Sequence, residues 1–536
     1  MTGARQFLRA ARDVRAERAG RPAPADIAYA IYVGVFAGLI VLSPVVRLAI
    51  LGLLEAEPQL SSPAVEAVLR VVLGALLTAL VAVGGTRGPV TPTSFYAQFV
   101  GASALPRRLT LMRPYLLSAS GVMVVVLSAA GLSVIAVSLL GLASWDSALL
   151  FLAAVLLYCL LLSAGWLLGQ VLSSLTTLIV VVVLALATAA TVVVEPVALV
   201  TPWGWVGRLW PGTVVDGAFF WWPVLALAAT AALALALVPI LLDRLHGPTL
   251  VQQARRWESV GMMTTTGDVA GALGTFRPPP RWGRRLHLRL PRSRFAAYLV
   301  RDAVGALRTP ARAALACAVL LSSGWLMGCV YLVADGVRWA PALAAAVLAF
   351  LAVGVFSDGA RHAAAIAGQP PLFRATPLQL AALHTPFPAI IATVFLGAGA
   401  ALTSFVGAPA EAIAWAVLLG IFLVLVRLFD AAKGPLPVEL LMPVPTPVGD
   451  VSILSVIVWQ SDALLISLIA AGGLTWLMPG SFGTAALWLA ASTAAVIALA
   501  IRRYRAADAP LRADRPRRLN ADDAAGSLDD EDARAL

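Results

Sequence analysis

Charged residues are scarce in this sequence. Asp, Glu, Lys and Arg make up only 12% of its 536 positions, and hydrophobic residues make up 60%. A soluble chain of this length needs more charge than that to cover its surface. The mean hydropathy of +0.88 and the recurring apolar runs long enough to cross a bilayer therefore predict an all-α polytopic membrane protein.

Residues that carry most catalytic and metal chemistry are also few. The three cysteines lie inside apolar runs, where they are expected to be small core residues. The four histidines stand singly, and the sequence has no H-E-x-x-H, paired-cysteine or D-D-x-x-D motif. We therefore assign no catalytic residue, no metal site and no cofactor to the chain itself.

The net charge of +11 is concentrated in arginines that flank the apolar runs. Six arginines lie in 5–21 and thirteen in 244–312, and no tract interleaves basic and aromatic residues on a polar surface. Nucleic acid is therefore not an expected partner, and the charge is typical of loops on the inner side of a membrane. Both termini are expected to be cytoplasmic, in the plasma membrane.

Twelve apolar runs have the length of a membrane span. We place the spans near 28–53, 63–85, 114–140, 146–169, 172–194, 219–242, 311–333, 339–357, 386–407, 410–428, 450–474 and 483–501. They form two sets of six, divided by a long basic segment. The predicted organisation is an N-terminal segment (1–26), a first six-span half (27–243), a basic cytoplasmic linker (244–293), a second six-span half (294–503) and a disordered cytoplasmic tail (504–536).

The two halves share short patterns at matching places. Arg12-Asp13 precedes the first span of one half and Arg301-Asp302 that of the other, each in a segment that could form an amphipathic helix on the membrane surface. Each first span also carries a G-x-x-x-G pattern, at 34–38 and at 324–328, which allows close helix packing. These matches predict a diverged tandem duplication.

The clearest match lies just before the third span of each half. The stretch "ALPRRLTLMRP" (104–114) aligns with "ATPLQLAALHTP" (375–386), so that proline, leucine and a basic residue coincide. A proline suits the first turn of a helix, and leucines three or four residues apart give the helix one apolar face. Each copy is predicted to be a short interfacial helix. The arginines of the first copy also satisfy the positive-inside rule without any partner.

This layout resembles the ABC-2 type permeases, the membrane subunits of a class of ABC exporters. Their six-span units begin with a membrane-surface elbow helix and carry a loop often written L-P-[LV]-S-R-R-x-L, which "ALPRRLTL" resembles. In that family the loop contains the coupling helix that docks on a separate ATPase. The resemblance implies ATPase docking on 102–113 and 371–384, by Pro106, Arg107, Arg108, Leu109, Arg113, Arg374, Pro377, Leu380 and His384.

The resemblance further implies that ATP and Mg²⁺ bind to the partner subunit. A Walker A loop needs Gly-Lys followed by Ser or Thr, and the single lysine, Lys433, follows Ala432 and precedes Gly434. A twelve-span chain could supply a whole pseudo-twofold pore by itself. The alternatives are a twelve-span secondary transporter and a membrane scaffold without catalytic activity.

Ionisable groups inside spans are costly and are therefore candidates for a translocation path or gate. Asp462, with Gln460 nearby, is expected near the middle of its span; it either lines the path or is a carboxylate paired within the fold. Glu66 and Arg70 are one helical turn apart, and with Arg47 they form either an outer gate or a structural ion pair.

Tryptophans cluster between the fifth and sixth predicted spans. The segment "TPWGWVGRLWPG" (201–212) is similar to the amphipathic or re-entrant element that precedes the last span of ABC-2 permeases. An aromatic belt at the outer membrane boundary explains Trp203, Trp205, Trp210, Trp221 and Trp222 without a ligand.

Overall fold

The computed structural model describes most of the helical part of the chain. The described residues are 60–102, 105–213, 221–265, 291–333, 338–367, 375–434, 436–442, 452–477 and 481–506, with a few single positions and two-residue pieces elsewhere. The predicted first span (28–53), Arg12-Asp13 and most of the tail lie outside them.

Within the described residues, eleven helices are long and apolar enough to cross a membrane. They are α1 (Pro63–Gly84), α3 (Arg107–Leu139), α4 (Trp145–Val171), α5 (Ser174–Val193), α8 (Trp221–Arg244), α11 (Pro310–Cys329), α12 (Trp339–Phe356), α15 (Pro386–Thr403), α16 (Glu411–Ala431), α17 (Ser452–Leu477) and α18 (Phe482–Ala506). These helices coincide with eleven of the twelve predicted spans. The chain is therefore an all-α polytopic membrane protein of about twelve spans.

Shorter elements connect these spans. They are α2 (Ser94–Ala102), α6 (Glu195–Val200), α7 (Pro202–Arg208), α9 (Gly247–Thr265), α10 (Arg294–Leu307), α13 (Asp358–Ala365), α14 (Pro377–Leu383), two 3₁₀ turns (Ser404–Val406 and Val438–Leu441) and a hairpin of two-residue strands, β1 (Pro445–Thr446) and β2 (Gly449–Asp450). Helix α9 occupies the first part of the predicted linker. This helix is attached to the rest of the N-terminal unit. The side chains of Gln253 and Trp257 donate to the backbone carbonyls of Gly85 and Thr86, which follow the end of α1.

The chain divides into two compact units, which we describe separately. In the N-terminal unit (Met1–Met263 with Gly271–Phe276), α1 packs against α4 and α5, and α4 also packs against α3 and α8. Serine side chains cap two of these helices: Ser144 accepts from the backbone N–H of Ser147, and Ser173 from that of Thr176. Such caps satisfy donors that have no partner within the helix.

In the C-terminal unit (Thr264–Ala270 with Arg277–Leu536), α12 packs against α16 and α17, and α15 packs against α11 and α16. The contact between α11 and α15 depends on glycine. A Cβ on Gly324 would come within 2.1 Å of the Leu396 carbonyl oxygen, and one on Gly399 within 2.0 Å of that of Leu321. The G-x-x-x-G pattern of this half thus lies in a close helix contact, as small residues permit.

Candidate functional site

The segment before the third span of the N-terminal unit is continuous with that span. Helix α3 begins at Arg107, directly after Pro106, and runs to Leu139 without interruption. The predicted short separate helix is therefore wrong for this half. Arg107 donates to the carbonyl oxygen of Leu245, and the backbone N–H of Arg108 donates to Asp243 at 2.8 Å. These bonds fix the start of α3 against the end of α8.

Helix α3 continues through Pro114 because another side chain replaces the hydrogen bond that the proline cannot make. A proline has no N–H, so the carbonyl oxygen of Thr110, four residues earlier, loses its helical partner. The hydroxyl of Tyr96, on α2, donates to that oxygen at 3.0 Å. Leu111 of this segment is buried in the core, whereas Arg108, Leu109 and Arg113 are exposed.

The corresponding segment of the C-terminal unit is a separate short helix, as predicted. In α14, Thr376 and Gln379 form a reciprocal capping box, and Pro377 occupies the first turn. Leu380 packs on a small core that contains Ala381 and Tyr504. Arg374 lies outside the described residues.

His384, which follows α14, is buried and bonded to a carboxylate rather than exposed. Its Nδ1 lies 2.6 Å from Oδ2 of Asp302 on α10, and the two side chains are 3% and 9% exposed. The ring of Tyr298 packs edge-to-face against it, with centroids 4.9 Å apart. A side chain so buried cannot touch a partner directly. The structure therefore assigns His384 to holding α14 against α10 instead of to a docking surface.

Asp462 is at the centre of an ion-pair cluster. Its carboxylate lies 2.6 Å from Nζ of Lys433 and 2.5 Å from Nη2 of Arg503, and Lys433 also donates to the Gln460 carbonyl at 3.0 Å. Lys433 comes just after α16 ends at Ala431, and Arg503 is near the end of α18. Asp462 is thus level with the ends of two neighbouring spans, as the alternative of a carboxylate paired within the fold requires. A role in the translocation path stays a prediction.

Glu66 and Arg70 form the predicted pair within α1. Nη2 of Arg70 lies 2.9 Å from Glu66, and its Nη1 lies 3.2 Å from Glu195 at the start of α6. Glu195 also pairs with Arg208 of α7 at 2.8 Å. Arg47 is exposed and, in the described part of the chain, is not an ion-pair partner of Glu66 or Arg70. The partners from α6 and α7 were missed because they are distant in sequence.

Glu195 is titratable and lies outside the spans. Its partial burial raises the pKa of the carboxyl, but hydrogen bonds and charge interactions with Arg208 and Arg70 outweigh burial, so the net pKa is lowered. An arginine on each side favours the ionised form. This carboxylate therefore joins α1, α6 and α7 more strongly when it is charged.

The tryptophans divide into two groups. Trp203, Trp205 and Trp210 are buried, and the indole N–H of Trp210 donates to the Leu60 carbonyl at 2.8 Å. Trp221 and Trp222 are 60% and 41% exposed. The aromatic belt therefore fits only the exposed pair. The buried three pack α6 and α7 against the ends of the neighbouring spans, because α7 contacts α1, α4 and α8.

Two polar contacts that sequence reasoning missed hold span ends together. Gln170 donates to Val90 at 2.8 Å and to Gln253 at 2.8 Å, and Gln253 donates to Gly85 at 2.8 Å. Arg427 donates through Nε to the Phe350 carbonyl at 2.7 Å. Gln170 and Arg427 are each a polar residue near the end of an apolar run, which was the available signal.

Comparisons with known proteins add no identity. No protein-family model, no curated protein and no solved structure matches the chain. Within the described residues, no three His, Cys, Asp or Glu side chains converge as a metal ion would require. What can be said of function therefore rests on the membrane fold and the contacts above.

Proposed function

We propose that this chain is the membrane-spanning permease subunit of an ABC-2-like exporter, driven by a separate ATPase that binds ATP and Mg²⁺. Its arginine-rich connections would face the cytoplasm of a plasma membrane, with both termini inside. The spans themselves are shown by the fold. The transport role, the family and the orientation are what we propose.

The observation that carries the proposal is the link between α14 and α10. Helix α14 precedes the third predicted span of its half, and α10 precedes the first. The Asp302–His384 pair joins them at 2.6 Å, and α10 also contacts α11, α12 and α15. A displacement of α14 would thus reach three spans through a buried, short contact. A coupling element that transmits movement from a motor needs such a connection.

The N-terminal unit contributes the exposed part of the proposed docking surface. Pro106, Arg108, Leu109 and Arg113 are exposed at the start of α3, whereas Arg107 bonds inward to Leu245. We therefore assign docking contact to the exposed four and a positioning role to Arg107.

The packing of the two units also supports the proposed duplication. In both, the second predicted span contacts the fourth and the fifth, and the third contacts the fourth. These three shared contacts among the described spans agree with a duplication, in which one chain would supply both halves of a pore.

The decisive experiment is purification of the tagged full chain from its host in mild detergent, with mass spectrometry of the proteins that remain bound. We expect a stoichiometric ATPase with a Walker A loop. Arg108→Glu should release it, and Arg292→Glu, the same charge change at another exposed arginine, should not.

Repeated purification without any ATPase would contradict the exporter and favour a secondary transporter or a scaffold. Retention of the ATPase by both variants would keep the exporter but place the docking surface elsewhere.

A further inference from the structure

A basic groove lies between α2, α3 and α9 in the N-terminal unit. It has a volume of about 700 Å³ and is open on one side. Arg107 lines it from α3, Gln98 from α2, and Gln252, Arg255, Arg256 and Ser259 from α9. The groove is thus formed by three separate elements that meet where two spans end or begin.

The charges of the groove suit an anion. Among the described residues, its lining contains three guanidinium groups and no carboxylate. Two acidic side chains close in sequence to the lining are engaged elsewhere. Glu258 of α9 accepts from the backbone N–H of Ser94 at 2.7 Å, and Asp243, at the end of α8, accepts from the backbone N–H of Arg108. In the described part of the chain, neither Arg255 nor Arg256 has an ion-pair partner. Arginine, amide and hydroxyl donors facing one space are typical of phosphate recognition.

The position of the groove favours a lipid as the source of the phosphate. Span α8 ends at Arg244 and α9 begins at Gly247, so the groove lies at the end of one span and at the start of another, α3. Two of the helices that form the groove also carry exposed apolar side chains: Phe95 on α2 is 65% exposed and Leu109 on α3 is 44% exposed. A phosphate seated among the arginines would leave its acyl chains beside these residues. Basic pockets between spans on the cytoplasmic side commonly hold anionic headgroups.

We propose that this groove binds the phosphate of an anionic phospholipid of the inner leaflet, with Arg255 and Arg256 as the principal ligands. The bound lipid would fix α9 beneath α2 and α3. This site does not depend on an ATPase partner, so it can fail or succeed independently of the exporter proposal.

The test uses the purified full chain in neutral detergent micelles and fluorescent phosphatidylglycerol. We expect saturable binding that weakens as salt is raised and that unlabelled phosphatidylglycerol abolishes. Phosphatidylcholine and inorganic phosphate at the same concentration should not compete. Arg255→Gln with Arg256→Gln should weaken binding by about tenfold or more, because charge-assisted hydrogen bonds are lost. The matched pair Arg292→Gln with Arg294→Gln should leave it unchanged.

Native affinity in the Arg255/Arg256 double variant, or equal competition by phosphatidylcholine, would overturn the site. Equal competition by inorganic phosphate would overturn the proposal that the ligand is a lipid and would show that the groove binds a soluble phosphate. A second experiment uses a photo-crosslinking phosphatidylglycerol with the native chain. Because it needs no variant, a folding defect cannot affect its result. Its crosslinks should fall in 94–107 and 247–259, and their absence from both segments would overturn the proposal.

Discussion

The two units use their charges at opposite ends of comparable spans. In the N-terminal unit a largely buried ion pair, Arg70 with Glu66, lies at the start of α1, where Glu195, 60% exposed, also pairs with Arg70. The end of α1 is held by the neutral amides of Gln170 and Gln253. In the C-terminal unit, α12 is the comparable span. There the half-buried pairs are at the span ends near Asp462, and the pair at the start of α12 is formed by Asp335, whose side chain is 77% exposed.

The difference lies in which polar groups hold the span ends together. In the N-terminal unit neutral amides do so at the end of α1, and Arg113 and Arg255 are exposed. The C-terminal unit uses Arg427 and Arg503 within its own fold, although other arginines of that unit are exposed.

The largest effect should come from breaking the buried pair of the C-terminal unit. His384→Ala would leave the Asp302 carboxylate, whose side chain is 9% exposed, without its partner. Leaving a buried acceptor without its hydrogen-bond donor costs about 1–3 kcal/mol, and more for a charged group. The comparable contact of the N-terminal unit, Arg108 with Asp243, is exposed on both sides, so Arg108→Ala should cost about 0–1 kcal/mol. Detergent unfolding titrations of both variants measure the two free energies.

Equal losses in the two variants would mean that the units hold these segments with similar strength and would remove the asymmetry. A double-variant cycle between Asp302 and His384 separates their mutual interaction from other effects of each substitution.

Much of the fold could be predicted because hydrophobicity alone defines spans. Eleven predicted runs correspond to helices whose ends differ from the prediction by only a few residues at most positions. The start of α3 is an exception. Its charged first turn, Arg107 and Arg108, did not signal whether the helix would continue through Pro114. That outcome depends on Tyr96, which is supplied by another helix.

The candidate sites were less predictable because their partners are distant in sequence. The pair Glu66–Arg70 has helical spacing and was found, but Glu195 and Arg208 join it from beyond three further spans. Asp462 was recognised as unusual for a span. Its ion-pair partners, Lys433 and Arg503, lie just after α16 and near the end of α18, and no local spacing in the sequence indicated them.

A smaller effect should follow from removing the Tyr96 hydroxyl, which donates to the unpaired carbonyl of Thr110 in α3. Tyr96→Phe leaves the Thr110 carbonyl without its donor, and we expect a loss of about 1 kcal/mol in the free energy of unfolding. Tyr504→Phe is the matched control, because the buried Tyr504 hydroxyl has no hydrogen-bond partner among the described residues. Its removal should be neutral or slightly stabilising. A neutral Tyr96→Phe would show that the continuity of α3 does not require this bond.

The smallest effect is a pH dependence confined to the start of α1. Because partial burial is outweighed by Arg208 and Arg70, the pKa of Glu195 is lower in the folded chain than in the unfolded one. The stability that it contributes is therefore complete above the unfolded value, about 4.3, and is lost as the pH falls through the folded value. Glu195→Gln should lower the unfolding midpoint at neutral pH, and the gap to the native chain should close on acidification. Glu411→Gln removes a carboxyl from the first turn of α16, where the described residues form no ion pair with it, and controls for loss of a carboxyl alone. A gap that stays constant with pH would mean that Glu195 is not charge-coupled to the arginines, and the N-terminal unit would then lose its distinguishing ionic contact.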